Sequence, residues 1–257
     1  MASLFSLGIS TDAQLGTISL VPIADGRTAM QREAFINATV DMLQQRAIGQ
    51  WTLTYWLNKL ATPHDSNGEW AEFGVFNGRS IRILSLARQR LRREAGRPGR
   101  PVHGFDWFNG IPDDWYAYAK AGSFNSTKRG PPFDDPLLYT WHVGLFNATV
   151  PPFAAGLVRN VTFAHIDCDL GNAATTVLST LAPRLAPGAW LQFDELVNYP
   201  TFEEGEMKAL YAFLLDTGRR ARIVAAAGPR VLRWPPSRKP MCRGTRCPQQ
   251  NALVQIL

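Results

Sequence analysis

Apolar positions recur along this chain in two alternating rhythms, one close to 3.6 residues and one of short continuous runs. From Met30 to Leu60 the spacing is helical, with Phe35, Val40, Leu43 and Ala47 along it. Pro63 and the polar run HDSNG end that stretch. Beyond it, strands are expected at residues 70–75, 102–108, 140–146, 161–169 and 188–196. A helix is expected over 80–93, with Leu84, Ala87 and Leu91 on one face. A second follows Asp169 and carries Leu178, Leu181 and Leu185 at spacings of three and four. Thr201 and Glu204 have capping-box spacing ahead of a third, marked by Met207, Leu210, Tyr211 and Leu214. The runs RARIVAA and NALVQIL read as two closing strands around a basic, Pro-containing excursion from Gly228 to Gln250. This alternation predicts an α/β fold with a mostly parallel sheet covered on both faces. Residues 109–138 form a long aromatic insertion, and loops of that length are usually functional.

Composition narrows the class. With 257 residues, 46% apolar and only 19% charged, the chain can bury a substantial core and is not disordered. No apolar run approaches the roughly 18 residues of a membrane span. The start, MASLFSLGISTDAQLG, lacks a basic n-region and a long apolar h-region, so no cleaved signal is expected. The net charge of +6 is concentrated: eight Arg lie between Arg79 and Arg100, and nine Lys/Arg between Arg219 and Arg246. Such clusters can attract nucleic acid. Here they are not interleaved with aromatics as single-strand binders require, which favours a solvated helix face and a basic loop. Three cysteines make no disulfide framework, and Cys242 and Cys247 lack partners for a zinc site. Cys168 reads as a small core hydrophobe. A reducing, cytoplasmic compartment is the expectation, with the sequons at Asn37, Asn125, Asn147 and Asn160 read as chance.

Candidate chemistry collects at the expected strand ends, where ligands of open α/β sheets bind. The first strand runs into Glu72, Gly74, Gly78 and Ser80, a glycine-containing strand–helix turn that lets backbone approach a ligand. The second ends at Asp106, placed to accept ribose hydroxyls by the logic of dinucleotide folds. Asp167 and Asp169 end the fourth strand, and Asp194 and Glu195 the fifth. Four neighbouring carboxylates repel unless a cation or proton neutralises them, and hard oxygen ligands suit Mg²⁺ better than zinc. His165, within the fourth strand, reads as a core histidine ahead of a catalytic one. The aromatic set Phe105, Trp107, Phe108, Trp115, Tyr116 and Tyr118 reads as loop packing, with a lid or substrate wall as the alternative.

Taken in order, EFGVFNGRS, HGFDWFNGIPDDW, VGLFNATVP, HIDCDL and LQFDELVNYPTFEEGEMKA resemble the macrocin O-methyltransferase family of S-adenosylmethionine-dependent enzymes. The resemblance runs from about Trp70 to Phe213. It implies a Rossmann-like class I methyltransferase sheet of seven strands, the last antiparallel. The first 60 residues and the excursion from Gly228 to Gln250 carry no such match; the helical pattern reads as an N-terminal helical extension over 1–66, ahead of a methyltransferase domain over 67–257. The resemblance implies S-adenosylmethionine bound at Glu72, Gly74, Gly78, Ser80, Asp106 and Asp167, and Mg²⁺ held by Asp167, Asp194 and Glu195. The acceptor would be a hydroxyl of a sugar or small molecule, with Asp167 or Asp169 as proton acceptor and Asn198 and Tyr199 as acceptor contacts. Two departures stand out: an Asp-Glu pair replaces the acid–amide pair of metal-dependent relatives, and Leu170 replaces their lysine. A methyltransferase-fold binding protein without turnover and a nucleic-acid methyltransferase are the alternatives. Against the second, the Asn/Asp-Pro-Pro-aromatic motif of amine methylation is missing.

Overall fold

A computed structural model describes residues 3–23, 28–48, 67–115, 119–126, 128–227 and 250–257. The chain opens with β1 (Ile9–Asp12), β2 (Thr17–Leu20), α1 (Thr28–Gln45) and β3 (Ala47–Ile48). It continues through β4 (Glu69–Phe73), α2 (Arg79–Glu94), β5 (Val102–Asp106), β6 (Tyr139–Val143) and α3 (Phe146–Gly156). The last third contains β7 (Val161–Ile166), α4 (Gly171–Leu181), β8 (Leu185–Phe193), α5 (Glu206–Thr217), β9 (Arg220–Ala227) and β10 (Ala252–Ile256).

Seven of these strands lie in the order β6-β5-β4-β7-β8-β10-β9. The first five are mutually parallel, and β10 runs antiparallel to both its neighbours. That is the expected seven-stranded arrangement. The reversal of strand order between β5 and β7 makes the end of β4 the switch point, where open sheets bind ligands. Every residue of β4 and β7 is buried, as central parallel strands require.

Side-chain alternation sends neighbouring residues to two separate cores. Trp70 and Phe163, 5.1 Å apart between ring centroids, pack with Ile81 and Leu84 of α2. On the other face, Phe73 stacks on Phe105 at 4.7 Å and packs with residues of α1, α3, α4 and α5. Far from the switch point, the other end of β4 is clamped by charge. Arg88, fully buried on α2, donates to the Gly68 and Pro101 carbonyls and to Glu69 Oε2 at 3.1 Å. Arg100 and His103 also face Glu69. Burial would raise the Glu69 pKa, but these partners outweigh it and hold the carboxyl at about 2.

Several expectations need correction. The N-terminal segment is not helical throughout: β1 and β2 form a hairpin whose second strand pairs antiparallel with β9, and β3 adds to the same strand. Helix α1 ends at Gln45, and residues 49–66 lie outside the described residues. The third central strand stops at Val143, because Phe146 already begins α3. Pro151 and Pro152 sit inside α3 and remove two helix donors, a signal against a helix that packing of Val150 and Phe153 overrides. The Thr201–Glu204 capping box is not made. Residues Phe202–Glu204 form a 3-10 turn instead, and the Glu204 side chain turns to Arg32 and Lys208. The basic excursion, with Cys242 and Cys247, lies outside the described residues.

Replacing Glu69 by Gln leaves buried Arg88 without its counter-charge, so urea denaturation should report a loss of about 3 kcal/mol. The sign with pH follows from the lowered pKa. The Glu69 contribution is complete above its ordinary value of 4.5 and fades as pH falls toward about 2. The variant should therefore have a flatter acid limb between those values, and an unchanged limb would locate acid sensitivity elsewhere.

Candidate active site

The parallel ladder continues past the strands and carries three turns forward in step. Gly74 N–H donates to the Phe105 carbonyl, Asp167 N–H to that of Phe73, and Asp194 N–H to that of Ile166, each at 2.9 Å. Gly74 has φ +93°, and a Cβ there would stand 1.7 Å from the Asp167 carbonyl oxygen. Only glycine lets these two strand ends lie so close.

A cavity of about 580 Å³ opens over these turns. Gly74, Asp106, Asp167, Asp169, Asp194 and Glu195 form its polar part. Trp107, Ile111, Trp115, Phe124, Leu145 and Phe146 supply apolar wall, so the aromatic insertion is both packing and lining. Tyr116 and Tyr118 lie outside the described residues. A mostly apolar cavity with a few convergent polar groups, in this size range, is the usual form of a small-molecule site.

Asp106 lines this cavity. Its Oδ2 accepts the N–H groups of Val75 and Phe76 at 2.8 Å, and its Oδ1 that of Phe108 at 2.6 Å. These bonds tie the strand end to the β4–α2 turn and hold the carboxylate facing the cavity.

Behind the cavity floor runs a buried polar row. Glu72 and His165 are register partners on β4 and β7, and His165 pairs in turn with Gln192 on β8. Ser80 Oγ donates to Glu72 Oε1 at 2.9 Å, and His165 Nδ1 lies 3.3 Å from Glu72 Oε2. His165 Nε2 faces Asp194 Oδ1 at 3.7 Å, and Asn251 of the C-terminal segment donates to that same oxygen. Burial disfavours a charged imidazole, but Asp194 and Glu72 outweigh it and raise the His165 pKa well above its ordinary value. Glu72 is raised by burial, while Asp194 is lowered because His165 overcomes the effect of burial. His165 is thus a core histidine, as expected, and it lies between two carboxylates that favour its charged form.

Two overlapping groups of potential ligand atoms lie within 4.8 Å of one another. One is His165, Asp167 and Asp194; the other is Asp167, Asp169 and Glu195. The expected trio Asp167, Asp194 and Glu195 does not form a single group: Asp194 turns toward His165 and Asn251, and Asp169 takes its place. Asp169 adopts a left-handed backbone at φ +58°. Burial first, then Asp194, pushes its pKa up to about 7 and raises Asp167 and Glu195 well above the usual carboxylate range. Glu195 Oε2 is buried with no hydrogen-bond partner among the described residues. An orphaned carboxylate oxygen beside two further acids fits a hard divalent cation.

Not every expected residue reaches the cavity. Glu72 and Ser80 lie beneath it, because alternation points Glu72 into the core under α2. Gly78 abuts Pro132 and Phe133. Asn198 and Tyr199 are both buried and outside the lining, with Tyr199 packed edge-on against Trp115. Sequence reading overlooked Glu206, buried at the start of α5. Its carboxylate accepts the N–H groups of Glu195 at 3.0 Å and Cys168 at 3.4 Å, so it ties together both acid-bearing turns. A lone acid in a helix's first turn carried no signal of that role. Asn251, Asn172 and Thr176 were likewise missed.

With this geometry in place, comparison with known proteins defines the class. The family model described as "Methyltransferase domain" matches residues 71–196. No curated protein matches the chain. Among solved structures, CalS11, a calicheamicin methyltransferase, is 19% identical over 96% of this chain and 97% of its own, with a TM-score of 0.52. The O-methyltransferase NovP is 14% identical over 89% of this chain and 98% of its own, with a TM-score of 0.51. These likenesses establish the Rossmann-like class I methyltransferase fold. The domain match spans β4 to β8 of that fold. Among the described residues, no helix is long and apolar enough to cross a membrane.

Replacing His165 by Leu would leave Glu72 buried against no cation. Chemical denaturation should show a loss of about 3 kcal/mol. The double variant with Glu72→Gln should recover part of it, whereas additive losses would mean that the two residues do not interact.

Proposed function

We propose that this methyltransferase transfers the sulfonium methyl of S-adenosylmethionine to a hydroxyl of a sugar or other small-molecule acceptor, assisted by a divalent cation. The observation that carries the reading is the orphaned Glu195 oxygen, grouped with Asp167 and Asp169 on the cavity floor. Support also comes from the likeness to macrocin-type O-methyltransferases along the same strand ends. CalS11 and NovP, which share the fold, are described as a calicheamicin methyltransferase and an O-methyltransferase.

In this reading Asp106 accepts the ribose hydroxyls, and Gly74 lets the chain pass close beneath the methionine part. Trp107, Leu145 and Phe146 exclude water from the adenosine side. Asp167 and Glu195 would hold the cation, with Asp169 the third carboxylate of the group. Mg²⁺ bound there would orient the acceptor hydroxyl and lower its pKa. The acceptor oxygen attacks the methyl carbon in line as the carbon–sulfur bond breaks. S-adenosylhomocysteine leaves, and the hydroxyl proton passes to Asp169. Asp194, locked by His165 and Asn251, stays ionised and steadies the floor.

Calorimetry on Asp106→Ala should show S-adenosylhomocysteine binding weakened at least about tenfold, or ~1.4 kcal/mol. Unchanged affinity in a folded variant would remove Asp106 from the ribose site. With S-adenosylhomocysteine bound, wild type should take up Mg²⁺, while Asp167→Asn and Glu195→Gln lose affinity about tenfold or more. Asp169→Asn should lose the methyl-transfer rate more severely than its cation affinity. A wild-type protein that binds no divalent ion, or whose activity is indifferent to chelator, would sink the metal-assisted route.

The raised carboxyls also set a pH signature. A carboxyl at about 7 in the folded state binds protons that the unfolded chain has released above 3.8. Its stabilisation is therefore present at acid pH and lost as pH rises through 7. Added Mg²⁺ should raise the melting temperature more above pH 7 than below pH 4. An equal gain at both would place the cation away from these acids.

A further inference from the structure

A second, smaller cavity of about 270 Å³ lies beside the first, and Phe76 lines both. Its other walls are Asn77, just ahead of α2, and Ser126, Lys128, Gly130, Pro132 and Phe133 of the insertion. Phe76 has φ +50° and is 42% exposed, so one ring in a strained backbone conformation divides the two spaces.

The chemistry of this pocket is that of an anion site. Ser126 is 4% exposed, and its hydroxyl, buried, has no hydrogen-bond partner among the described residues. A buried hydroxyl normally finds a partner, so its absence calls for a group from outside. Lys128 lines the same space and spends one of its three donors on the Pro132 carbonyl at 3.0 Å. Helix α2 starts two residues beyond Asn77, behind its N-cap Gly78, which has no side chain to cap the first turn. That turn holds no acid but carries Arg79 and Arg82. A 16-residue helix presents unpaired N–H groups and partial positive charge at such an end. Hydroxyl and ammonium together offer donors for the oxygens of one anion, the positive end of α2 lies next to Asn77 of the wall, and among the described residues no acid lines the pocket.

We infer that this pocket binds a phosphate group carried by the methyl acceptor, so that the substrate is a phosphorylated sugar whose hydroxyl enters the main cavity past Phe76. The inference rests on the O-methyltransferase reading and adds the charge class of its acceptor. Phosphate bound here would occupy the Ser126 hydroxyl and the Lys128 ammonium and place the sugar one aromatic ring from the carboxylate floor.

Calorimetry on protein saturated with S-adenosylhomocysteine tests it, with three probes: a hexose 1-phosphate, the free hexose and inorganic phosphate. The hexose phosphate should bind at least about tenfold tighter than either other probe. The double variant Ser126→Ala/Lys128→Met should erase that preference and leave S-adenosylhomocysteine affinity unchanged. Equal binding of hexose and hexose phosphate would overturn the inference. So would inorganic phosphate binding as tightly as the sugar phosphate, because the anion would then not be read as part of the acceptor. A double variant that loses S-adenosylhomocysteine instead would assign the pocket to the cofactor's own carboxylate. Failure of the wild type to bind S-adenosylhomocysteine at all strikes the methyltransferase reading, and so is distinguishable from failure of the phosphate site.

Discussion

A buried row of polar side chains holds this molecule's working end together. His165 stands between Glu72 and Asp194 and is 2% exposed. In a low-dielectric interior an unpaired imidazolium or carboxylate is expensive, so each of the three requires the others. Glu72 in turn fixes Ser80 and thereby the start of α2, while Asp194 fixes Asn251 just before β10. One histidine therefore couples the glycine turn, both acid-bearing strand ends and the closing strand.

Around that row the strand ends are spaced by backbone hydrogen bonds rather than by side chains. The ladder that joins Phe105, Gly74, Phe73, Asp167, Ile166 and Asp194 makes three carboxylate-bearing turns arrive at one level. Glu206 secures them from the far side by accepting two of their N–H groups. The consequence is electrostatic: acids held this close resist ionisation, as the raised pKa values of Asp167, Asp169 and Glu195 report. A floor of this kind favours whatever neutralises it, whether proton or cation. The aromatic insertion closes the other side, so the same fold supplies an anionic floor and an apolar wall across a single cavity.

The central sheet was legible because its strands obey local rules. Continuous apolar runs at β4, β7 and β8, each ending in glycine or acid, mark buried parallel strands and their ligand-facing ends. The N-terminal hairpin was not legible: ISTD and TISL are too short and polar to signal strands, and they become strands by pairing with each other and, through TISL, with β9. Helix α3 was hidden by its two prolines, whose cost is met by contacts of Phe153 with Phe105 and His142.

For the site the division is similar. Local sequence determined which carboxylates stand at strand ends, but the alternation expected to put Asp167 and Asp169 on one side stops at Ile166, and a left-handed turn at Asp169 follows instead. Local sequence could not determine which acids meet. That Asp169 and not Asp194 joins Asp167 and Glu195 depends on His165 and Asn251 claiming Asp194 from other strands. Nor could it assign His165 a charge, or send Glu72 beneath the floor rather than to the ligand. Those outcomes depend on register between strands dozens of residues apart, and register is a property of the assembled sheet rather than of any segment in it.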